Sequence, residues 1–252
     1  MSLNGKNAII TGARSGIGLA TLRLFASKGC NCWAVVHRDD PEWLTNIETI
    51  QQDNSVWIKP INVDLEDYDS IKAGVQEIFV DKLPIDILVN AAGIVSENRL
   101  FTMTKMEDIR RVMEVNFFSI LELTQLVTRK MMRQTSGSII NIASISADCE
   151  DTSQLEYAAS KAALVCATKK LARELASYGI RVNAVSPGMT QTKMADSFPE
   201  GAVQKLMAGM VSNRFGKPEE IANVIAFLAD DDSSFVNGEN IKVDGGGMIV
   251  GR

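Results

Sequence analysis

The sequence predicts an α/β protein built as a single doubly wound domain, a parallel sheet of about seven strands with helices on both faces. Three observations predict it. Strand-like and helix-like runs alternate from end to end, the first strand opens into a glycine-rich turn, and no repeat or linker-like stretch divides the 252 residues. Open α/β sheets reach this length as one unit, so residues 1–252 are expected to form one domain.

Asn7–Thr11 is a short apolar run that ends at a glycine. Gly16–Lys28 has helical periodicity, with Ile17, Ala20, Leu24 and Phe25 on one face. Cys32–His37 reads as a second strand. Trp57–Ile61, Ile85–Asn90, Ser138–Ala143, Arg181–Ser186 and Asn240–Val243 complete the seven. Helical spacing separates them, as over Ser70–Val80, Met106–Arg133, Leu155–Tyr178 and Pro218–Ala229. The stretch from Gln191 to Arg214 fits neither pattern. It is rich in Met and small residues, and is expected to be a mobile lid over a substrate.

Composition removes several functions. The formal net charge is −5 with no basic block, which makes nucleic acid a poor partner. No apolar run has the length of a membrane span and no leader pattern is evident, so a cytoplasmic location is expected. Cys30, Cys32, Cys149 and Cys166 match no CxxC or zinc spacing and read as reduced thiols. His37 is the only histidine, so two-histidine metal sites are excluded and no metal is expected. Acid/base chemistry then falls to another group.

The first strand runs into Thr11-Gly12-Ala13-Arg14-Ser15-Gly16-Ile17-Gly18, and a helix follows. Gly12 is expected to allow the tight turn, Gly16 a close approach of ligand, and Gly18 packing of the helix on the sheet. The helix start offers free N–H groups and partial positive charge to a pyrophosphate, the Rossmann-type arrangement. A glycine turn without a ligand would look the same; its place after the first strand favours a nucleotide. The second strand ends Val35-Val36-His37-Arg38, with Val36 where an acid would bind the ribose of NAD. Arg38 and Arg14 suit a 2′-phosphate, so NADP(H) is favoured over NAD(H). Asp39 and Asp40 pull the other way, and both arginines also read as solvated surface.

Tyr157-Ala-Ala-Ser-Lys161 lies in a helical stretch, which puts phenol and ammonium on one face, a turn apart. A free phenol has a pKa of about 10, and a nearby ammonium lowers it. That yields a proton donor and acceptor without histidine. Ser144 follows the strand Ser138–Ala143, at the carboxyl edge where open α/β sheets bind ligands. Ser146 competes with it on position alone.

These segments, together with Asn90-Ala91-Ala92-Gly93, Val115-Asn116-Phe117 and Arg181-Val182-Asn183-Ala184-Val185-Ser186-Pro187-Gly188, make the chain resemble the classical short-chain dehydrogenase/reductase family over nearly its whole length. The resemblance selects Ser144 over Ser146. It implies that Tyr157 protonates the nascent alkoxide, that Ser144 bonds the same oxygen, and that Lys161 holds the nicotinamide ribose and lowers the Tyr157 pKa. It implies that Asn116 positions a water linking Lys161 to solvent. For the cofactor it implies contacts from the turn residues Gly12, Arg14, Ser15, Gly16, Ile17 and Gly18. His37 and Arg38 follow at the ribose, Asp64 and Leu65 beside adenine, and Asn90, Ala91 and Gly93 along the dinucleotide. Pro187, Gly188 and Thr190 face the nicotinamide. Ala91 stands where many relatives carry asparagine.

Within the family the chain is most similar to the 3-oxoacyl-acyl-carrier-protein reductases, through Leu171–Ser177, Pro187–Met194, Arg214–Ala222 and Val243–Gly247. That implies NADPH-dependent reduction of a 3-oxoacyl thioester and a homotetramer in which the helix Leu155–Tyr178 takes part. Arg129 and Arg173 match a basic pair that docks the acidic carrier protein near the site entrance; they also read as a solvated helix face. The Met-rich segment with Met194, Phe198, Met207 and Met210 could cover an acyl chain or simply pack. Two alternatives stand beside this: an NAD(H)-dependent dehydrogenase of a sugar, steroid or small alcohol, and a non-catalytic NADP(H)-binding sensor or scaffold.

Overall fold

Val, Ile and Leu occupy both faces of the central strands, the pattern of a sheet with no solvent-facing side. The structure, a computed structural model, describes residues 2–148, 152–192 and 207–247. Among these, β1 (Asn7–Thr11), β2 (Asn31–Val36), β3 (Ile58–Asn62), β4 (Ile87–Asn90), β5 (Gly137–Ile142), β6 (Ile180–Pro187) and β7 (Asn240–Val243) form one sheet. Its order is β3-β2-β1-β4-β5-β6-β7, and every pairing is parallel. The order reverses between β1 and β4, so a crevice opens beyond the carboxyl ends of those two strands.

Helices cover both faces. On one side α1 (Gly16–Ser27), α2 (Pro41–Asn54) and α7 (Pro218–Ala229) bury Leu22, Phe25, Ile47, Ile221 and Ile225 against Ile10, Val89 and Ile140. On the other, α3 (Tyr68–Val80), α5 (Ser119–Gln134) and α6 (Leu155–Leu175) bury Ile71, Val75, Leu123, Val127 and Leu175 against Ile9, Leu88 and Ile139. Adjacent strand residues thus point to opposite cores, as the period of two requires.

The structure departs from the sequence expectations in two places. Periodicity predicts one helix over 106–133, but α4 (Met106–Met113) and α5 are joined by a wide turn at Glu114–Phe118. There the Ser119 N–H reaches the Glu114 carbonyl five residues back, and Ser119 Oγ lies 3.0 Å from the same oxygen. The second is α2, not among the helices named above although its buried Trp43, Ile47 and Ile50 recur at i, i+4 and i+7. A second signal is at its start: Asp40 caps it by accepting from the Trp43 N–H, and Pro41 occupies the first turn.

The glycine turn is self-packed. Gly12 has φ +66°, and a Cβ there would lie 2.9 Å from the backbone of Ala92. Gly18 does not serve contact with the sheet as expected. A Cβ there would stand 2.2 Å from the Gly12 carbonyl oxygen, so its missing side chain makes room for the turn itself. Both atoms belong to backbone that cannot swing aside. Gly18→Ala should therefore cost about 1–3 kcal/mol by overpacking, a fall in Tm on the order of 3–10 °C for a chain of this size. Gly216→Ala, whose nearest atom would be 3.7 Å away, should leave Tm almost unchanged in the same thermal scans.

Candidate active site

The strand ends bring the site together. Thr11, Asn90 and Asn141 are aligned across β1, β4 and β5. The fully buried Thr11 hydroxyl accepts from the N–H groups of Ala91 and Ala92, each at 3.0 Å, and so holds the turn after β4 against the glycine turn. Asn90 points into the protein: its amide donates to Thr124 Oγ1 at 3.0 Å and Asn141 Oδ1 at 2.8 Å. Asn141 passes the chain to Thr168 Oγ1 on α6 at 2.9 Å. This buried polar line ties β4 and β5 to the helix that carries Tyr157.

Entry into α6 is set by Ser153 and Gln154, both left-handed, with φ 78° and 50°. The Gln154 N–H bonds the Arg99 carbonyl at 3.2 Å and its Nε2 bonds the Ser96 carbonyl at 3.1 Å. Tyr157 falls in the first turn and Lys161 one turn later. Lys161 is 5 % exposed, and Nζ donates to the Ile142 carbonyl at 2.8 Å. The ammonium also lies 5.8 Å from the centre of the Tyr157 ring. Burial lowers its pKa to about 8.

Asn116 lies in the wide turn and is fully buried. Its side chain accepts from the Ile94 N–H and donates to the Ile94 carbonyl, both at 2.8 Å, and its Nδ2 also donates to Ser160 Oγ at 3.2 Å. Gly93 sits between: a Cβ there would be 3.1 Å from Asn116 Oδ1 and 3.4 Å from Lys161 Nζ. Ser144, 8 % exposed, caps a short turn through the Ser146 N–H at 3.1 Å. The competitor Ser146 thus supports Ser144, with its own hydroxyl 3.2 Å away.

The structure therefore brings Asn116, Ser144, Tyr157, Lys161 and Gly93 to one place. The proton balance differs from the sequence expectation. Burial raises the Tyr157 pKa, and its interaction with the Ser144 hydroxyl pulls the other way; Lys161 does not set the direction.

A nicotinamide dinucleotide fits this arrangement. Among the described residues no side chain caps the first turn of α1, and Lys161 has three N–H donors but one protein acceptor. At the far end, Arg14, Ser15 and Arg38 are exposed, and Ile17 is half-buried. Arg14 is ion-paired with Asp40, while His37 Nδ1 lies 3.8 Å from Asp64 Oδ1. The Leu65 carbonyl accepts from Ser119 Oγ, which fixes the adenine-side turn to α5. Pro187 ends β6, the Gly188 N–H bonds the Val243 carbonyl at 3.0 Å, and Thr190 Oγ1 donates to the Gly188 carbonyl at 2.9 Å.

Some expectations fall elsewhere. Residues 193–206, most of the expected lid including Met194 and Phe198, lie outside the described residues, as does Cys149. Met210 is buried, which accords with packing. Arg129 and Arg173 are exposed. Arg173 lies sixteen residues beyond Tyr157 on α6, about 24 Å along the axis at ~1.5 Å per residue. Gln134, near Arg129 at the end of α5, bonds both backbone groups of Ile85 at the opposite edge of the sheet. Sequence reasoning missed Thr11 and Ser160, whose Oγ donates to the Tyr157 carbonyl at 2.7 Å. A polar residue closing an apolar strand was the available signal for the first.

The Lys161 shift has a stability consequence. A buried lysine with pKa near 8, against 10.5 unfolded, leaves the unfolded chain holding more protons between those values. Stability therefore rises with pH across that window, and the cost is full below it. Lys161→Met should remove this contribution. The Tm difference between wild type and variant should shift in favour of wild type from pH 8 to pH 10, in calorimetry without cofactor.

Comparison with known proteins agrees with the geometry. A family model described as Enoyl-(Acyl carrier protein) reductase matches residues 12–247. The 3-oxoacyl-[acyl-carrier-protein] reductase of Thermotoga maritima is 41 % identical over 250 residues, 99 % of this chain and 100 % of that one. That of Escherichia coli is 34 % identical over the same span, with the same coverage. Among solved structures, NAD+-bound xylitol dehydrogenase superposes with a TM-score of 0.91 at 29 % identity, covering 98 % of this chain and 100 % of that one. With its serine, tyrosine and lysine gathered beside a glycine-lined crevice, the chain belongs to the short-chain dehydrogenase/reductase family of nicotinamide-dependent oxidoreductases.

Proposed function

We propose that the protein reduces the 3-keto group of a 3-oxoacyl thioester, carried by acyl carrier protein, with NADPH. The observation that carries the chemistry is the convergence of Ser144, Tyr157 and the buried, single-partnered Lys161 at the carboxyl edge of the sheet. Bound nicotinamide dinucleotide supplies the hydride. Burial raises the Tyr157 pKa, and a protonated phenol is the state a reduction needs at its start. Ser144 adds a second donor for the same oxygen. The unpaired donors of Lys161 suit a vicinal diol such as ribose. Asn116 keeps the segment after Gly93 fixed to α6 and clear of the ammonium. The substrate class is supported by the relatives' names over full-length matches.

Arg38 supports NADPH, being exposed with no ion pair among the described residues. Carrier docking on Arg129 and Arg173 requires a second protomer to bring its site beside them, which accords with a homotetramer. The segment around 191–214 serves as substrate lid, and the protein works in the cytoplasm.

The family description names an enoyl group, a C=C bond, where the relatives' names specify a 3-oxo group. Paired hydroxyls from Ser144 and Tyr157 favour a carbonyl oxygen. Steady-state assays with acetoacetyl and crotonyl thioesters, simple ketones and polyols, each with NADPH and NADH, test this. Turnover should be confined to the acetoacetyl thioester with NADPH as the better donor. Faster turnover of a polyol with NAD+ would replace this function, and cofactor binding without any turnover would indicate a sensor. Arg129→Glu with Arg173→Glu should cut kcat/KM about tenfold or more on carrier-bound substrate and little on a small thioester.

A further inference from the structure

The adenosine end of the site carries a carboxylate with two obligations. Asp40 is the N-cap of α2, its Oδ1 accepting from the Trp43 N–H at 2.9 Å. Its Oδ2 takes the Arg14 guanidinium. Asp40 cannot follow Arg14 elsewhere without uncapping the helix, and Pro41 in the first turn fixes where that helix starts. The charges around it are otherwise arranged. Asp39 Oδ2 accepts from Asn62 Nδ2 at 3.3 Å, His37 faces Asp64, and Arg38 has no ion pair among the described residues. Of the two arginines at this end, Arg38 is available and Arg14 is engaged.

Resting on the reading that a nicotinamide dinucleotide lies here with its adenosine ribose at the end of β2, we propose that Asp40 is a specificity-determining residue that weakens NADP(H) relative to NAD(H) by competing with the 2′-phosphate for Arg14. A phosphate monoester carries nearly two negative charges and is drawn to that guanidinium as well as to Arg38. It meets a carboxylate already there, and one that the helix cap holds in place. NAD(H), with hydroxyls alone at that ribose, loses nothing to the pair. Arg14 and Asp40 are 48 % and 31 % exposed, so the competition is partly screened and falls with salt.

Asp40→Asn separates the two obligations. Asparagine keeps an oxygen for the Trp43 N–H, and Asn and Asp are equivalent caps, while the charge is removed. Fluorescence titration gives the Kd of NADPH and NADH without turnover, and thermal unfolding of the cofactor-free protein checks that α2 is intact. Asp40→Asn should tighten NADPH about tenfold and NADH by less than about twofold, with the gain shrinking at about 0.5 M salt. Asp40→Ser, a second competent cap, should shift the ratio the same way. In an Arg14→Gln background most of the gain should vanish. A ratio of NADPH to NADH affinity unchanged by both Asp40 variants, or an equal gain with and without Arg14, overturns the inference. The wild-type ratio separately tests the preference for NADPH, because the Asp40 effect is read as a change in ratio whichever cofactor the wild type prefers.

Discussion

A lysine ammonium buried at the carboxyl edge of the sheet is the constraint on which the site depends. Among the described residues Lys161 has one acceptor, the carbonyl at the end of β5. A buried charge so sparsely partnered is costly, and the fold is arranged to keep it in place. The residue nearest to it on the β4 side is Gly93, where a side chain would crowd it. Asn116 fastens the next residue, Ile94, by both backbone groups and reaches Ser160 on the helix of Lys161. The line from Asn90 through Asn141 to Thr168 fixes the same helix to the strands. Stability is given up at one point so that donors face the crevice unsatisfied.

The same burial governs Tyr157. A cation one turn away was the physical reason to expect an acidified phenol, yet in this structure desolvation dominates and raises its pKa. For a carbonyl reduction this is the useful direction, since the phenol begins as a donor. Lys161 and Tyr157 are thus two halves of one environment: it disfavours charge on both, lowering the ammonium pKa and raising that of the phenol.

Much of this was legible in sequence, and the limits have physical causes. β1, β7 and α7 have the predicted bounds, because apolar runs closed by glycine, proline or polar residues leave little freedom at their ends. The grouping of Ser144, Tyr157 and Lys161 was legible because a helix face fixes Tyr157 and Lys161 relative to each other, and the family resemblance chose Ser144. What a linear sequence does not carry is how two side chains from distant segments pair. Asp40 looked like loose negative charge near a ribose; in space it is a helix cap holding Arg14. Arg129 and Arg173 looked like neighbours of the site; helix length puts Arg173 about 24 Å along α6 from Tyr157. The wide turn at Glu114–Phe118 was hidden because one extra residue in a helical turn barely disturbs hydrophobic periodicity.

The central claim is that the Tyr157 phenol delivers its proton to the substrate oxygen. Single-turnover stopped flow with Tyr157→Phe, at cofactor concentrations where binding is saturated, tests it most directly. The account predicts hydride transfer slower by about 10²–10⁴-fold with cofactor affinity little changed. Hydride transfer at the wild-type rate would contradict it.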